Sequence, residues 1–137
     1  MLRLSPTHRS KISAHGEATY PLECCGFLLG REDDGVKVVV ETVRAMNARD
    51  DSPQNRYLIE PDEFRRAEQL AAEKALDIIG FYHSHPDVAA RPSQFDRDHA
   101  WPWYSYVIVS VQQGRAVEMF SWQLLDPDEP FAEEPIQ

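Results

Sequence analysis

Two rhythms of apolar and polar positions run along this chain, one helical and one extended, and the changes between them mark its elements. Ser5-Pro6 reads as a helix N-cap followed by proline in the first turn. The helix it opens runs to about Tyr20, with Ile12 and Ala14 or Ala18 facing inward, and Pro21 constrains its exit. Phe27-Leu28-Leu29-Gly30 predicts a short buried strand, Arg31–Gly35 a polar turn, and Val36–Val43 a second strand covered on both faces over part of its length. Met46 to Gln54 turns polar, as an exposed loop does, and Tyr57-Leu58-Ile59 reads as a short strand. Pro61-Asp62-Glu63 then starts a helix, its acids placed where the helix dipole favours them. Phe64, Ala67, Leu70, Ala71 and Ala75 mark one face of it. Leu76–His83 is a strongly apolar strand, residues 93–100 a short helix, and Tyr104–Val111 and Arg115–Trp122 a hairpin around Gln112-Gln113-Gly114. The order predicts α/β (mixed α+β) architecture, one curved mixed sheet with flanking helices.

Composition narrows the function classes. The 137 residues carry 23 Asp and Glu against 14 Lys and Arg, a formal net charge of −9. That field repels phosphate backbones, so nucleic acid is disfavoured as a partner. The longest apolar stretches, such as Val107–Val111 interrupted by Ser110, are too short to span a bilayer, which reads against a membrane partner. The N-terminus has no apolar core of a secretory signal, and the only two cysteines, Cys24 and Cys25, are adjacent and poorly placed for a disulfide. The expectation is a reduced, cytoplasmic protein. Residues 1–125 read as the domain. Residues 126–137, with five acids and three prolines, read as a frayed or surface-draped tail.

The chemistry concentrates in His83-Ser84-His85-Pro86 and Ser93-x-x-Asp96. If the strand persists through His85, its two imidazoles point to one side and can take adjacent corners of a tetrahedral metal. Asp96, brought back across residues 86–92, supplies a third ligand and leaves a position open, as catalytic zinc sites do. Ser93-x-x-Asp96 equally resembles a capping box with Asp for Glu, and spacing leaves the two readings level. Glu23, just before the first long strand, is the candidate general base. Ser84 and Ser93 are the hydroxyl candidates for a developing oxyanion, Ser93 the better placed. His8, His15 and His99 read as ordinary hydrogen-bonded histidines, and Trp101 and Trp103 as packing residues. The cysteines read as buried small hydrophobes. Their alternative, a cysteine peptidase with His83 or His85 as base, leaves the other histidine and Asp96 without a task.

Taken together, Glu23, His83-Ser84-His85-Pro86 and Ser93-x-x-Asp96 resemble the signature of the JAMM metallopeptidases, the catalytic branch of the MPN domain family. The resemblance implies an MPN/JAMM-like domain in which His83, His85 and Asp96 bind one Zn2+ per chain. It implies that Glu23 moves a proton from the water on zinc to the leaving nitrogen and that Ser93 hydrogen-bonds the oxyanion. Tyr20–Gly30, Ala45-Met46-Asn47-Ala48 and Arg56-Tyr57-Leu58 further resemble the small bacterial members. These include peptidases that cut after the C-terminal glycine of small ubiquitin-like sulfur-carrier proteins (ThiS/MoaD-like, ending in Gly-Gly), releasing an adduct or maturing the C-terminus. Pro86, where many relatives have Thr, and Arg91-Pro92 depart from that pattern. The competing expectation is a noncatalytic MPN-like interaction module. A thin Gly-Gly tail could be clamped by backbone pairing, with Met46–Asn55 and Val88–Arg91 as candidate walls, and Arg91 could meet a substrate carboxylate.

Overall fold

Seven strands line up in one sheet in the order β1-β3-β2-β4-β5-β6-β7, in a computed structural model that describes residues 1–47 and 59–137. The strands are β1 (Leu2–Arg3), β2 (Cys25–Asp33), β3 (Val36–Ala45), β4 (Asp77–Pro86), β5 (Ser105–Gln112), β6 (Arg115–Gln123) and β7 (Ala132–Glu134). The helices are α1 (Pro6–Thr19), α2 (Pro61–Glu73) and the short α3 (Gln94–Asp98). The sheet is open rather than closed into a barrel: among the described residues β1 and β7 form no ladder with each other, although a bridge between Leu2 and Ile136 and backbone hydrogen bonds from Leu2 and Leu4 tie the N-terminal segment to residues 135–137. This is the mixed α+β architecture, a sheet flanked by helices, that the hydrophobic pattern predicts.

Alternation along the strands divides the core in two. One half gathers Ile12 of α1 with Leu28, Ile79, Tyr82, Val107 and Val109. The other gathers Ala67 and Ala71 of α2 with Phe27, Leu29, Phe81, Tyr106, Ile108 and Trp122. Successive residues of β4 therefore face opposite halves, Phe81 toward α2 and Tyr82 toward α1. Ser5 caps α1 as its position suggests, accepting a hydrogen bond from the His8 N–H at 3.2 Å.

Several expectations need correcting. The polar turn expected at Arg31–Gly35 is only Asp34-Gly35: β2 runs on to Asp33, and both turn residues have positive φ (54° and 82°), as a tight two-residue hairpin requires. Arg31 to Asp33 are polar because they stand on exposed, paired strand, not because they turn. Ala75 lies beyond α2 rather than on its inner face. It has φ 55°, and the bonds Ala75 N–H to Ala72 O (3.1 Å) and Leu76 N–H to Ala71 O (2.8 Å) make it the left-handed residue of a Schellman cap. Of the expected strand Tyr57–Ile59, the first two residues lie outside the described residues, as do 48–54 of the expected loop, and Ile59 is not in a strand.

The segment 126–137, expected to fray or drape, instead supplies β7, which pairs antiparallel with β6. Its Glu134 is buried and accepts hydrogen bonds from Ser105 Oγ (2.7 Å) and Ser121 Oγ (2.8 Å). Lys37, also buried, donates to the Trp103 carbonyl and to Ser105 Oγ. An acidic, proline-containing composition says nothing of one glutamate with a buried partner set, which is why the pattern misplaced this segment.

β4 and β5 are parallel neighbours. Parallel pairing forbids a tight turn and forces a crossover, here residues 87–104 with α3. That crossover carries Asp96 back over the sheet.

Candidate metal centre

β4 continues through Pro86, so His83 and His85 share the face of Phe81, 1% and 7% exposed respectively. Their Nε2 atoms stand 3.1 Å apart. Asp96 Oδ2 lies 3.3 Å from His83 Nε2 and 3.1 Å from His85 Nε2. Three donor atoms from two elements thus converge on one point.

The local chemistry of α3 explains how Asp96 arrives. Ser93 is its N-cap: Ser93 Oγ accepts from the Asp96 N–H at 3.1 Å, and Asp96 Oδ2 accepts from the Ser93 N–H at 2.9 Å. The capping box and the approach to the histidines, competing readings in the sequence, use the same carboxylate oxygen. The cap holds Asp96 in place, and Ser93, exposed, keeps its hydroxyl proton free to donate elsewhere.

His85 is oriented from behind. Its Nδ1 lies 2.9 Å from the Ala89 carbonyl, which can only accept, so Nδ1 carries a proton and Nε2 is the atom turned toward Asp96. At 3.1 Å that approach is favourable when a proton or a cation lies between Nε2 and the carboxylate.

Glu23, 2% exposed, precedes β2, and its carboxylate lies with the ring nitrogens of His83 and His85 inside a span of 4.8 Å. Ser84 fixes this approach. Its Oγ accepts from the Cys24 N–H (2.8 Å) and its N–H donates to the Cys24 carbonyl (3.1 Å). The residue after Glu23 is thereby locked to the residue between the two histidines. Asn47 adds a bond to the Glu23 carbonyl at 3.2 Å. Ser84, fully buried, is a latch and not a free hydroxyl, which removes it from the oxyanion candidates.

Electrostatics follow from burial. Desolvation pushes the Glu23 carboxyl up to about 8, moderated by His85 and reinforced by Asp96. Burial would also raise Asp96, but the His83 charge and hydrogen bonds from His83, His85 and Ser93 hold it well below the ordinary carboxylate range. Burial lowers His83, whereas at His85 the bond and charge of Asp96 overcome burial and raise it. The thiols are pushed up by burial, Cys24 to about 11 and Cys25 to about 12. Both are buried and protonated at neutral pH, so the cysteine-nucleophile reading loses its thiolate.

Of the two tryptophans expected to pack, Trp103 lies over the Lys37 ammonium at 4.6 Å. Trp101 is 68% exposed and lines an apolar cleft of about 230 Å3 with Phe64, Phe81, Phe95 and Tyr104. Arg91 is exposed. Pattern reading missed the Ser84 latch and the Ala89 carbonyl, because serine and alanine carry no chemical signal until backbone geometry places them.

The donor set fits a metal ion. Ligand atoms around a tetrahedral centre with bonds of about 2.0–2.1 Å are about 3.3–3.4 Å apart, and the three separations here are 3.1, 3.1 and 3.3 Å. Two neutral imidazoles and a carboxylate, with Glu23 alongside, can hold a divalent cation at the carboxyl end of a parallel strand.

Fold and site together define a metallopeptidase-type MPN domain. Residues 5–125 match the family described as prokaryotic homologs of the JAB domain, and the chain belongs to that family. It is 32% identical over 114 residues to Desampylase from Haloferax volcanii, covering 80% of each chain. A solution structure of a protein from Desulfitobacterium hafniense superimposes with a TM-score of 0.87 at 29% identity, covering 100% of this chain and 92% of that one. Another, from Salinibacter ruber, gives 0.78 at 40% identity, covering 99% and 90%.

Proposed function

We propose that this chain is a zinc-dependent peptidase that hydrolyses the bond after the C-terminal glycine of a ubiquitin-like or sulfur-carrier protein. The observation that carries it is the convergence of His83, His85 and Asp96 within 3.1–3.3 Å of one another beside a buried Glu23. In this reading those three residues hold one zinc ion per chain. When bound, zinc supplies Lewis-acid chemistry, acidifying water and polarising the scissile carbonyl. Glu23 takes the proton of the attacking water at its carboxylate and passes it to the leaving nitrogen, within a site dry enough to favour proton pick-up. Ser93 donates its hydroxyl proton to the developing oxyanion while its oxygen still caps α3.

The substrate class is supported by the resemblance of Tyr20–Gly30 to the small bacterial members and by the relative named Desampylase. A slender Gly-Gly tail suits a small domain, and a net charge of −9 calls for a carrier with a neutral or basic contact face. In this reading residues 1–125 carry the peptidase site, with β7 completing the sheet edge, and the protein works in the cytoplasm. Among the described residues no helix is long and apolar enough to cross a membrane.

The test combines metal analysis with a carrier fused beyond its Gly-Gly end to a short peptide. The wild type should bind one zinc per chain and release the peptide after the second glycine, read by intact mass. Glu23→Gln should keep zinc and lose turnover by about 10²–10⁴-fold, the usual contribution of a positioned base. A protein that binds zinc and cleaves no carrier fusion is the noncatalytic module, and a Glu23→Gln variant at wild-type rate removes Glu23 from the chemistry.

A further inference from the structure

The peptide group behind His85 is held at both ends. Its carbonyl, that of Ala89, accepts the His85 Nδ1–H at 2.9 Å. Its N–H, that of Ala90, donates to Glu118 Oε2, also at 2.9 Å. One planar amide therefore links a carboxylate on β6 to an imidazole on β4, across the whole width of β5. The sheet register makes the link: His85 pairs with Ser110, and Ser110 pairs with Glu118, so all three occupy one row.

Neighbouring bonds hold the amide still. Trp122 Nε1 donates to the Ala90 carbonyl at 2.9 Å, Ser110 Oγ donates to the Val88 carbonyl at 2.6 Å, and Ala90 itself is fully buried. At the start of the loop Asp87, at φ 57°, accepts from the Gln113 N–H (2.8 Å) and the Tyr20 hydroxyl (2.7 Å).

We propose that Glu118 is a positioning residue for the metal centre, acting on His85 through the Ala89–Ala90 peptide. A carboxylate accepting from an amide N–H draws electron density toward the amide oxygen, because hydrogen bonds in a chain polarise one another. The Ala89 oxygen becomes a stronger acceptor for the His85 Nδ1–H, and Nε2 a better donor to a cation. Metal-ligating histidines commonly donate their second N–H directly to a carboxylate or to a backbone carbonyl. Here a backbone carbonyl makes the direct contact and a carboxylate one amide further away supports it. Glu118 stands one amide away from His85, and its effect is on the orientation and basicity of that imidazole.

The inference rests on the zinc reading above, and its test is metal binding rather than turnover. Zinc dissociation constants are measured by chelator competition for wild type, Glu118→Ala and Glu118→Gln, with thermal melting of the metal-free proteins and the His85 ring resonances in 15N-labelled samples. Removing an outer partner of this kind costs about 10–100-fold in metal affinity, and that loss is expected for Glu118→Ala. Glu118→Gln keeps an acceptor for the Ala90 N–H and should recover most of the loss, with the His85 Nδ1–H resonance near its wild-type position. In Glu118→Ala that resonance should move. Zinc affinity within twofold of wild type in Glu118→Ala overturns the inference. So does a weakened affinity with the His85 resonances unmoved, since the loss then arises elsewhere. Should Glu118→Ala fail to fold, Glu118→Leu, which keeps the bulk and offers no acceptor to the Ala90 N–H, takes its place: a loss of zinc affinity of about 10–100-fold with a moved His85 Nδ1–H resonance supports the relay. Affinity within twofold of wild type, or a loss with that resonance unmoved, refutes it. A wild type that binds no zinc sinks the underlying function and is seen before either variant is compared.

Discussion

Ser93 has two jobs in this reading, and their energies differ enough to separate them. Ser93→Ala removes the bond from the Asp96 N–H to Oγ (3.1 Å) but leaves the bond from the Ser93 N–H to Asp96 Oδ2 (2.9 Å). Loss of an N-cap acceptor costs about 1 kcal/mol, a fall of about 3–4 °C in melting temperature for a domain of this size. Against a typical stability of about 5–15 kcal/mol, that leaves the protein folded at assay temperature. Loss of an oxyanion donor costs about 2.7–4 kcal/mol in the barrier, or about 10²–10³-fold in kcat. The assay measures kcat and KM on the carrier–peptide fusion, zinc affinity and melting of one Ser93→Ala preparation. The expected result is a large fall in kcat, a small fall in melting temperature and zinc affinity close to wild type. Ser93→Thr, which keeps both hydroxyl functions, should recover most of the activity. A kcat within fivefold of wild type in zinc-loaded Ser93→Ala would show that the serine only caps. A kcat loss that tracks zinc loss would show that it acts only by holding Asp96.

Three further outcomes test the fold. His15 is buried, its Nδ1 2.7 Å from the Tyr82 hydroxyl, and desolvation with the nearby Arg44 charge lowers it to about 4. The unfolded chain, with its histidine near 6.5, binds the proton first, so stability is full above pH 6.5 and is lost as pH falls toward 4. The loss is about 2–3 kcal/mol; urea unfolding of wild type and His15→Gln across that window should show a steeper pH slope for wild type, and equal slopes refute the assignment. Glu134→Ala strips the acceptor from Ser105 and Ser121 and a compensating charge from the vicinity of buried Lys37. It should cost about 3 kcal/mol in urea unfolding; a cost under about 0.5 kcal/mol, the level of an ordinary surface change, would mean β7 is dispensable. Ala75→Gly relieves a left-handed alanine at φ 55° and should stabilise by about 1 kcal/mol, read as a rise in melting temperature.

The residues of the candidate site were legible because metal-ligating side chains are rare types and stand here at short, fixed spacing. His83 and His85 two apart on a strand must share a face, and α3 begins where Pro92-Ser93 starts it. The helices were legible from Ser5-Pro6 and Pro61-Asp62-Glu63, since caps and dipole-matched acids are local chemistry. Elsewhere the same local signs misled: polar Arg31–Asp33 belongs to a strand, and Ala75 continues an apolar stripe yet sits in the cap.

By itself the amino-acid order marked the helices, the long strands and the five side chains of the candidate site, because these depend on residue type and short spacing; the edge strands β1 and β7 it did not mark. Only the tertiary structure decided how they meet. Parallel pairing of β4 with β5 forces the crossover that returns Asp96 to the histidines. The Ser84 latch, sixty residues from Cys24 in sequence, brings Glu23 beside them. Glu118 reaches His85 only through register across β5, and Glu134 finds its serines only through the pairing of β7 with β6. Such partners are distant in the chain, and their identity depends on strand order and register, which no local spacing records.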